Sequence, residues 1–176
     1  MKQSTRVHHV AIEVSDMDRS IQFYRDLLGL KLTERHPASV VPEIPVELTF
    51  LRFHENHHDF VLAHNPNKQY RPAAQATEDG PAACHHVAIQ MSDRTAWCEQ
   101  LDKAKELDAP IVRGPIVHSA YQPEGDGSWG ENESFYVVDP DGHRIEFFCN
   151  MASVDDDGFV CDSNGKRLAS TCVDEL

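Results

Sequence analysis

Nowhere in the 176 residues does an apolar run approach the roughly 20 residues that cross a bilayer, so the sequence predicts no membrane span. The opening residues, Met1 to Val7, lack the apolar stretch and small-residue cleavage site of a secretory signal, which places the expectation in the cytoplasm. Basic residues are scarce: 16 Lys and Arg stand against 29 Asp and Glu, for a formal net charge of −13. A nucleic-acid binder releases counterions through a basic surface, so no nucleic-acid partner is expected. The five cysteines (Cys84, Cys98, Cys149, Cys161 and Cys172) are odd in number and contain no Cys-x-x-Cys pair, which argues against a disulfide framework or a zinc knuckle and for reduced thiols. What remains is an ordinary globular composition, 40% hydrophobic and 26% charged, enough for one core or for two small modules.

The chain repeats itself. Val7-His8-His9-Val10-Ala11-Ile12-Glu13-Val14-Ser15-Asp16 returns as Cys84-His85-His86-Val87-Ala88-Ile89-Gln90-Met91-Ser92-Asp93, an offset of 77 residues. Internal similarity of this kind marks a duplicated supersecondary unit. Each copy opens on a strand whose period of two sets His9, Ala11 and Glu13 on one face and His8, Val10 and Ile12 on the other. Ser-Asp then supplies a helix N-cap, followed by apolar positions at helical spacing: Ile21, Tyr24, Leu27 and Leu28 in the first copy, Trp97, Leu101, Ala104 and Leu107 in the second. Gly29 and Pro110 are the expected stops.

Short strands follow, over 31–33, 47–53 and 59–63 in the first copy and over 111–112, 134–138 and 144–148 in the second. Asp139-Pro140-Asp141-Gly142 reads as a tight hairpin between the last two. Residues 1–151 are therefore expected to be a single domain, with module one at 5–65, a Pro-, Asn- and Gln-rich linker at 66–83 and module two at 84–151. A tail over 152–176 carries a short strand at Phe159-Val160-Cys161. Its acidic run Asp155-Asp156-Asp157-Gly158 lacks calcium-loop spacing and reads as a solvated turn.

Two repeat-related strands that carry histidine at the same place bring those histidines together if the repeats pair by pseudo-twofold symmetry. Glu146, in Arg144-Ile145-Glu146-Phe147-Phe148, adds a carboxylate among apolar neighbours, where an uncompensated charge is costly. Histidines plus a carboxylate are a divalent-metal donor set.

The paired openings, together with Phe135-Tyr136-Val137-Val138-Asp139-Pro140-Asp141-Gly142-His143-Arg144-Ile145-Glu146-Phe147, resemble the glyoxalase, bleomycin-resistance and extradiol dioxygenase superfamily, the vicinal-oxygen-chelate fold, over about residues 5 to 150. The resemblance implies an α+β fold of two tandem βαβββ modules forming a curved, cup-shaped mixed sheet around a metal. It makes the ligands His9, His86 and Glu146, the histidine in each case being the one directly before Val-Ala-Ile. Aligning His58-Asp59-Phe60-Val61-Leu62 with His143-Arg144-Ile145-Glu146-Phe147 sets Val61 opposite Glu146, leaving three protein ligands; a one-residue slip would bring in Asp59 or His57.

Glyoxalase and epimerase branches usually supply a fourth protein ligand, so Val61 favours the open two-histidine, one-carboxylate set of Fe(II) oxygenases. Similarity to the small single-domain extradiol dioxygenases further implies His58 as acid/base and Tyr136, ten residues before Glu146, as a substrate-positioning phenol. Read by themselves, His58 equally suits a solvated turn and Tyr136 a packed strand aromatic. His118 is a candidate for a further substrate-side histidine, and 119–133, with Tyr121 and Trp129, for a lid. The expected function is Fe(II)-dependent ring cleavage of a catechol-like aromatic with dioxygen. Two alternatives stand beside it: a metal-dependent isomerase or lyase using Mn, Zn, Ni or Mg, and a bleomycin-resistance-like binding protein. The sequence leaves room for a homo-oligomer.

Overall fold

The computed structural model describes residues 7–38, 45–70, 84–128 and 130–170. The chain divides into two compact units, Met1–Asp79 with Asp139–Gly142, and Gly80–Val138 with His143–Leu176.

In the first unit the order is β1 (Val10–Glu13), α1 (Met17–Leu28), β2 (Lys31–His36), β3 (Glu47–Arg52) and β4 (Phe60–His64). The sheet runs β1-β4-β3-β2, with β1 parallel to β4 and the other neighbours antiparallel. Helix α1 starts where Asp16 accepts a hydrogen bond from the Arg19 N–H at 3.0 Å and ends where Gly29 takes φ 69°. Its apolar stripe buries Met17, Ile21, Tyr24 and Leu27.

The Asp139 to Gly142 turn does more than close a hairpin. Tyr24 donates its hydroxyl to Asp139 Oδ2 at 2.8 Å in a buried contact, while the Ser15 N–H and the Arg19 guanidinium donate to Asp141 at 3.1 and 3.0 Å. Burial and the Asp139 carboxylate together push the Tyr24 phenol well above its ordinary pKa.

The second unit repeats the plan with β5 (Val87–Gln90), α2 (Arg94–Glu106), β6 (Ile111–His118), β7 (Asn132–Val138) and β8 (Arg144–Cys149), in the order β5-β8-β7-β6. Trp97 of α2 is buried and donates its indole N–H to the Phe147 carbonyl at 3.0 Å, and Phe135 stacks on Phe147 with ring centres 4.9 Å apart. The α+β architecture of two mixed four-stranded sheets, each with one helix, is the expected one.

Several local expectations are corrected. Helix α2 ends at Glu106 with Pro110 following, as expected, but Leu107, expected on its apolar stripe, is the C-cap and is 43% exposed. Strand β6 runs on to His118, paired with β7 through two register shifts, one between Ile111 and Arg113 and one between Arg113 and Ile116. The tail forms a three-stranded sheet, β11-β10-β9, from Ser153–Val154 (β9), Phe159–Cys161 (β10) and Arg167–Ser170 (β11), where the sequence suggested one strand. Of the expected linker, 71–83 lies outside the described residues, as do Trp129 and Cys172.

Candidate metal centre

The strand ladders decide the correspondence between the repeats. In the first unit Ala11 on β1 pairs with Val61 on β4; in the second Ala88 on β5 pairs with Glu146 on β8. Val61 and Glu146 therefore hold equivalent stations, each two residues beyond the pairing level of its own histidine. Asp59 is engaged elsewhere, accepting from the Phe53 N–H at 2.8 Å and the Asn56 amide at 2.6 Å.

In the second unit His86, Glu146 and Tyr136 come together. Glu146 is 6% exposed. Its Oε2 lies 3.0 Å from His86 Nε2, and its Oε1 accepts from the Ser134 hydroxyl at 2.6 Å and the Tyr136 hydroxyl at 2.9 Å. A buried carboxylate is stable only with such partners. The neighbouring His85 instead turns to Arg144, with Nε2 3.3 Å from the guanidinium, so it is His86 that serves the carboxylate.

Behind Tyr136 stands His118, buried, with Nε2 3.0 Å from the phenol oxygen and Nδ1 2.9 Å from both Asp126 Oδ2 and Ser128 Oγ. Burial, followed by the Glu146 hydrogen bond and charge, pushes the Tyr136 phenol up to about 12, so it stays a proton donor at neutral pH. Hydrogen bonds from the Ser128 side chain and backbone, then His118, hold the Asp126 carboxyl well below the usual carboxylate range.

In the first unit His9 and His58 come together, with His8 beside them. The rings of His9 and His58 are centred 4.5 Å apart, and His8 lies 5.4 Å from each. Both histidines of the opening pair precede β1, which starts at Val10, so the strand alternation that was expected to separate them does not apply. His58 is half-buried; that partial burial, then the His9, His57 and His8 imidazoles, lowers its pKa and leaves it a neutral base at neutral pH.

Sequence reasoning missed Ser134, although it shares a strand face with Tyr136 by period two, and missed Asp126 and Ser128, which a loop carries to His118 with no periodic signal. The segment after His118 is pinned in place: Ser119 donates to Glu131 at 2.6 Å, the Ala120 N–H does so at 3.2 Å, and the Tyr121 and Gln122 N–H groups bond the Ser119 hydroxyl at 3.0 and 2.8 Å. Among the described residues no helix is long and apolar enough to cross a membrane.

The family model described as Glyoxalase/Bleomycin resistance protein/Dioxygenase superfamily matches residues 6–147. The chain belongs to this superfamily. Among relatives, a lactoylglutathione lyase of Haemophilus influenzae is 30% identical over 84% of this chain and 95% of its own length. An iron-dependent extradiol dioxygenase of Rhodococcus jostii is 26% identical over 86% of this chain and 45% of its own. Of solved structures, the trypanothione-dependent glyoxalase I of Leishmania major is 28% identical, with a TM-score of 0.55 over 83% of this chain and 87% of that one. The superfamily is mostly enzymatic and its members bind divalent metals; lyases are the more prominent relatives.

Proposed function

We propose that the chain is a divalent-metal enzyme with three protein ligands, His9, His86 and Glu146, that performs extradiol-type ring cleavage on a catechol-like aromatic. The observation that carries this reading is the ladder register: valine occupies the first-unit station equivalent to Glu146, while His58, three residues earlier in the chain, stands beside His9. The His86–Glu146 part of this donor set supports the reading, since Glu146 is buried with its Oε2 against the His86 nitrogen and its other oxygen already held by two hydroxyls. Two nitrogens and one carboxylate suit Fe(II), which when bound would supply Lewis acidity and a reducing centre for dioxygen.

The protein's own groups have definable tasks. Neutral His58 accepts one of the two protons that a catechol loses on chelating as a diolate, the other passing to solvent, and returns its proton later. Tyr136, kept protonated and aimed by His118, donates a hydrogen bond to a substrate oxygen when it is not held by Glu146. Ring cleavage breaks the carbon–carbon bond next to the diol and puts both atoms of dioxygen into the product, so no external reductant is consumed.

A second reading, a metal-dependent lyase or isomerase, is favoured by the lactoylglutathione lyase of Haemophilus influenzae, which this chain matches over almost that protein's whole length. One experiment separates the two. Protein purified without air, analysed for metal, reconstituted with Fe(II) and offered catechol, 3-methylcatechol and 2,3-dihydroxybiphenyl should give a yellow ring-fission product on admission of air. No product from any of these, with turnover of a 2-oxoaldehyde hemithioacetal under Ni, Mn, Zn or Mg, would establish the lyase instead.

A further inference from the structure

The proposed catalytic set uses only one of the two histidines in the first opening pair, yet both turn toward His58. One nitrogen from each of His8, His9 and His58 lies within 4.8 Å of the other two, a grouping contained wholly in the first unit. His8 Nδ1 and His9 Nδ1 are 3.2 Å apart. Two imidazole nitrogens bound to one tetrahedral zinc at about 2.0–2.1 Å lie roughly 3.3 Å from each other, so this edge of a coordination tetrahedron already exists. His8 and His9 are exposed and His58 half-buried, which leaves the fourth position open to water. Asp59, the nearest carboxylate in sequence, is committed to Phe53 and Asn56.

We propose that the first unit carries a metal site of its own, formed by His8, His9 and His58, that takes a borderline transition-metal cation such as zinc without any carboxylate ligand. Imidazole-only sites select zinc, nickel, copper or cobalt over magnesium and calcium. The site shares His9 and His58 with the proposed catalytic apparatus. Zinc bound there occupies the lone pair through which His58 would accept a proton and withdraws His9 from the catalytic metal. Excess zinc is therefore an inhibitor. That consequence rests on the dioxygenase function proposed above; the binding itself does not.

The test uses the full chain without an affinity tag, carrying His86→Ala and Glu146→Gln to remove the second unit's donors. Titration with Co(II), followed by its visible absorption, and equilibrium dialysis against Zn(II) should show one equivalent bound. Adding His8→Ala should raise the half-saturating concentration at least tenfold, on the order of the tenfold to hundredfold that even loss of a supporting partner costs. His36→Ala, a first-unit histidine that pairs with Glu34 and lies outside the cluster, should change nothing. No metal bound by the doubly substituted chain, or binding indifferent to His8→Ala, overturns the proposal. Should that chain not fold, His8→Ala alone in the iron-loaded enzyme is decisive: it should leave activity intact and make zinc at least tenfold less inhibitory, and unchanged zinc sensitivity overturns the proposal. Absence of ring cleavage together with His8-dependent cobalt binding would overturn the dioxygenase reading and leave this site standing.

Discussion

Val61→Glu tests the register argument in one substitution. Val61 is 5% exposed and lies beside Ala11 on β1 and Phe50 on β3, while Glu146 lies beside Ala88 and Tyr136. His86 reaches Glu146 at 3.0 Å, so by the same geometry a carboxylate at position 61 comes within reach of His9. The hydroxyl donors differ, however. Where the second unit has Ser134 and Tyr136 the first has Leu48 and Phe50, so the new charge would be buried with one imidazole and no hydroxyl. An under-compensated buried carboxylate costs several kcal/mol, and we take about 3 kcal/mol.

For a chain of this size that is roughly 6–12 °C in Tm. Burial raises the folded-state pKa of such a carboxyl above its unfolded value of about 4.3, so the deficit is small below that pH and grows as pH rises through the folded pKa. A divalent metal at about a hundred times its Kd returns roughly 2.7 kcal/mol, nearly the whole loss, and more in the variant than in the parent because a fourth ligand is gained. The assay is thermal unfolding near pH 5 and pH 8, with and without Fe(II), Ni(II) or Zn(II), alongside oxygen consumption with catechols. A variant as stable as the parent without metal and no better stabilised by it would refute the register reasoning. Retained ring cleavage would refute the open-site mechanism.

His58→Phe should leave iron binding largely intact, measured by metal analysis, and lower turnover about a hundredfold or more, the scale of a lost acid/base. Tyr136→Phe removes the hydroxyl shared by Glu146 and His118; since Glu146 keeps Ser134 and His86, denaturant unfolding should show a loss of only about 1–3 kcal/mol. In alkaline titration, Tyr136 should ionise only around 12 and Tyr24 well above the ordinary phenol range. Their contribution to stability is thus full below an unfolded pKa of about 10 and lost as pH climbs through the folded values. Gly114→Ala should destabilise by about 2 kcal/mol or more in a thermal melt, because at φ +82° its Cβ would sit 2.6 Å from the Ser134 carbonyl oxygen and move the β7 strand that carries Ser134 and Tyr136.

Much of this protein is legible in one dimension because its signals are local or repeated. The duplicated His-His-Val-Ala-Ile opening, the Asp16 and Asp93 caps and the stripe of Ile21, Tyr24 and Leu27 each depend on spacing alone; spacing gives the repeated strand-then-helix unit, and the family resemblance then implies the α+β modules and selects His9, His86 and Glu146. Less legible were the details that depend on pairing. The length of β6 follows from pairing with β7, up to 26 residues away, which no local propensity encodes; the end of α2 and the tail hairpins rest on backbone bonds between near neighbours, such as Ala109 N–H to Ala104 and Asp155 N–H to Phe159, without a strong turn motif to announce them.

Aligning the repeats set Val61 opposite Glu146 but left a one-residue slip open; tertiary structure closed it, because register is a property of two strands together. Folding also fixed the surroundings of each candidate side chain: Ser134 and Tyr136 converge on the Glu146 carboxylate, Asp126 reaches His118 across a loop, and His8 joins His9 at His58 because β1 begins one residue after the pair. A sequence determines which donors exist and on which strand face they lie; how many hydrogen bonds a buried carboxylate collects, and so whether its charge can be tolerated without a metal, is settled only when the strands pair.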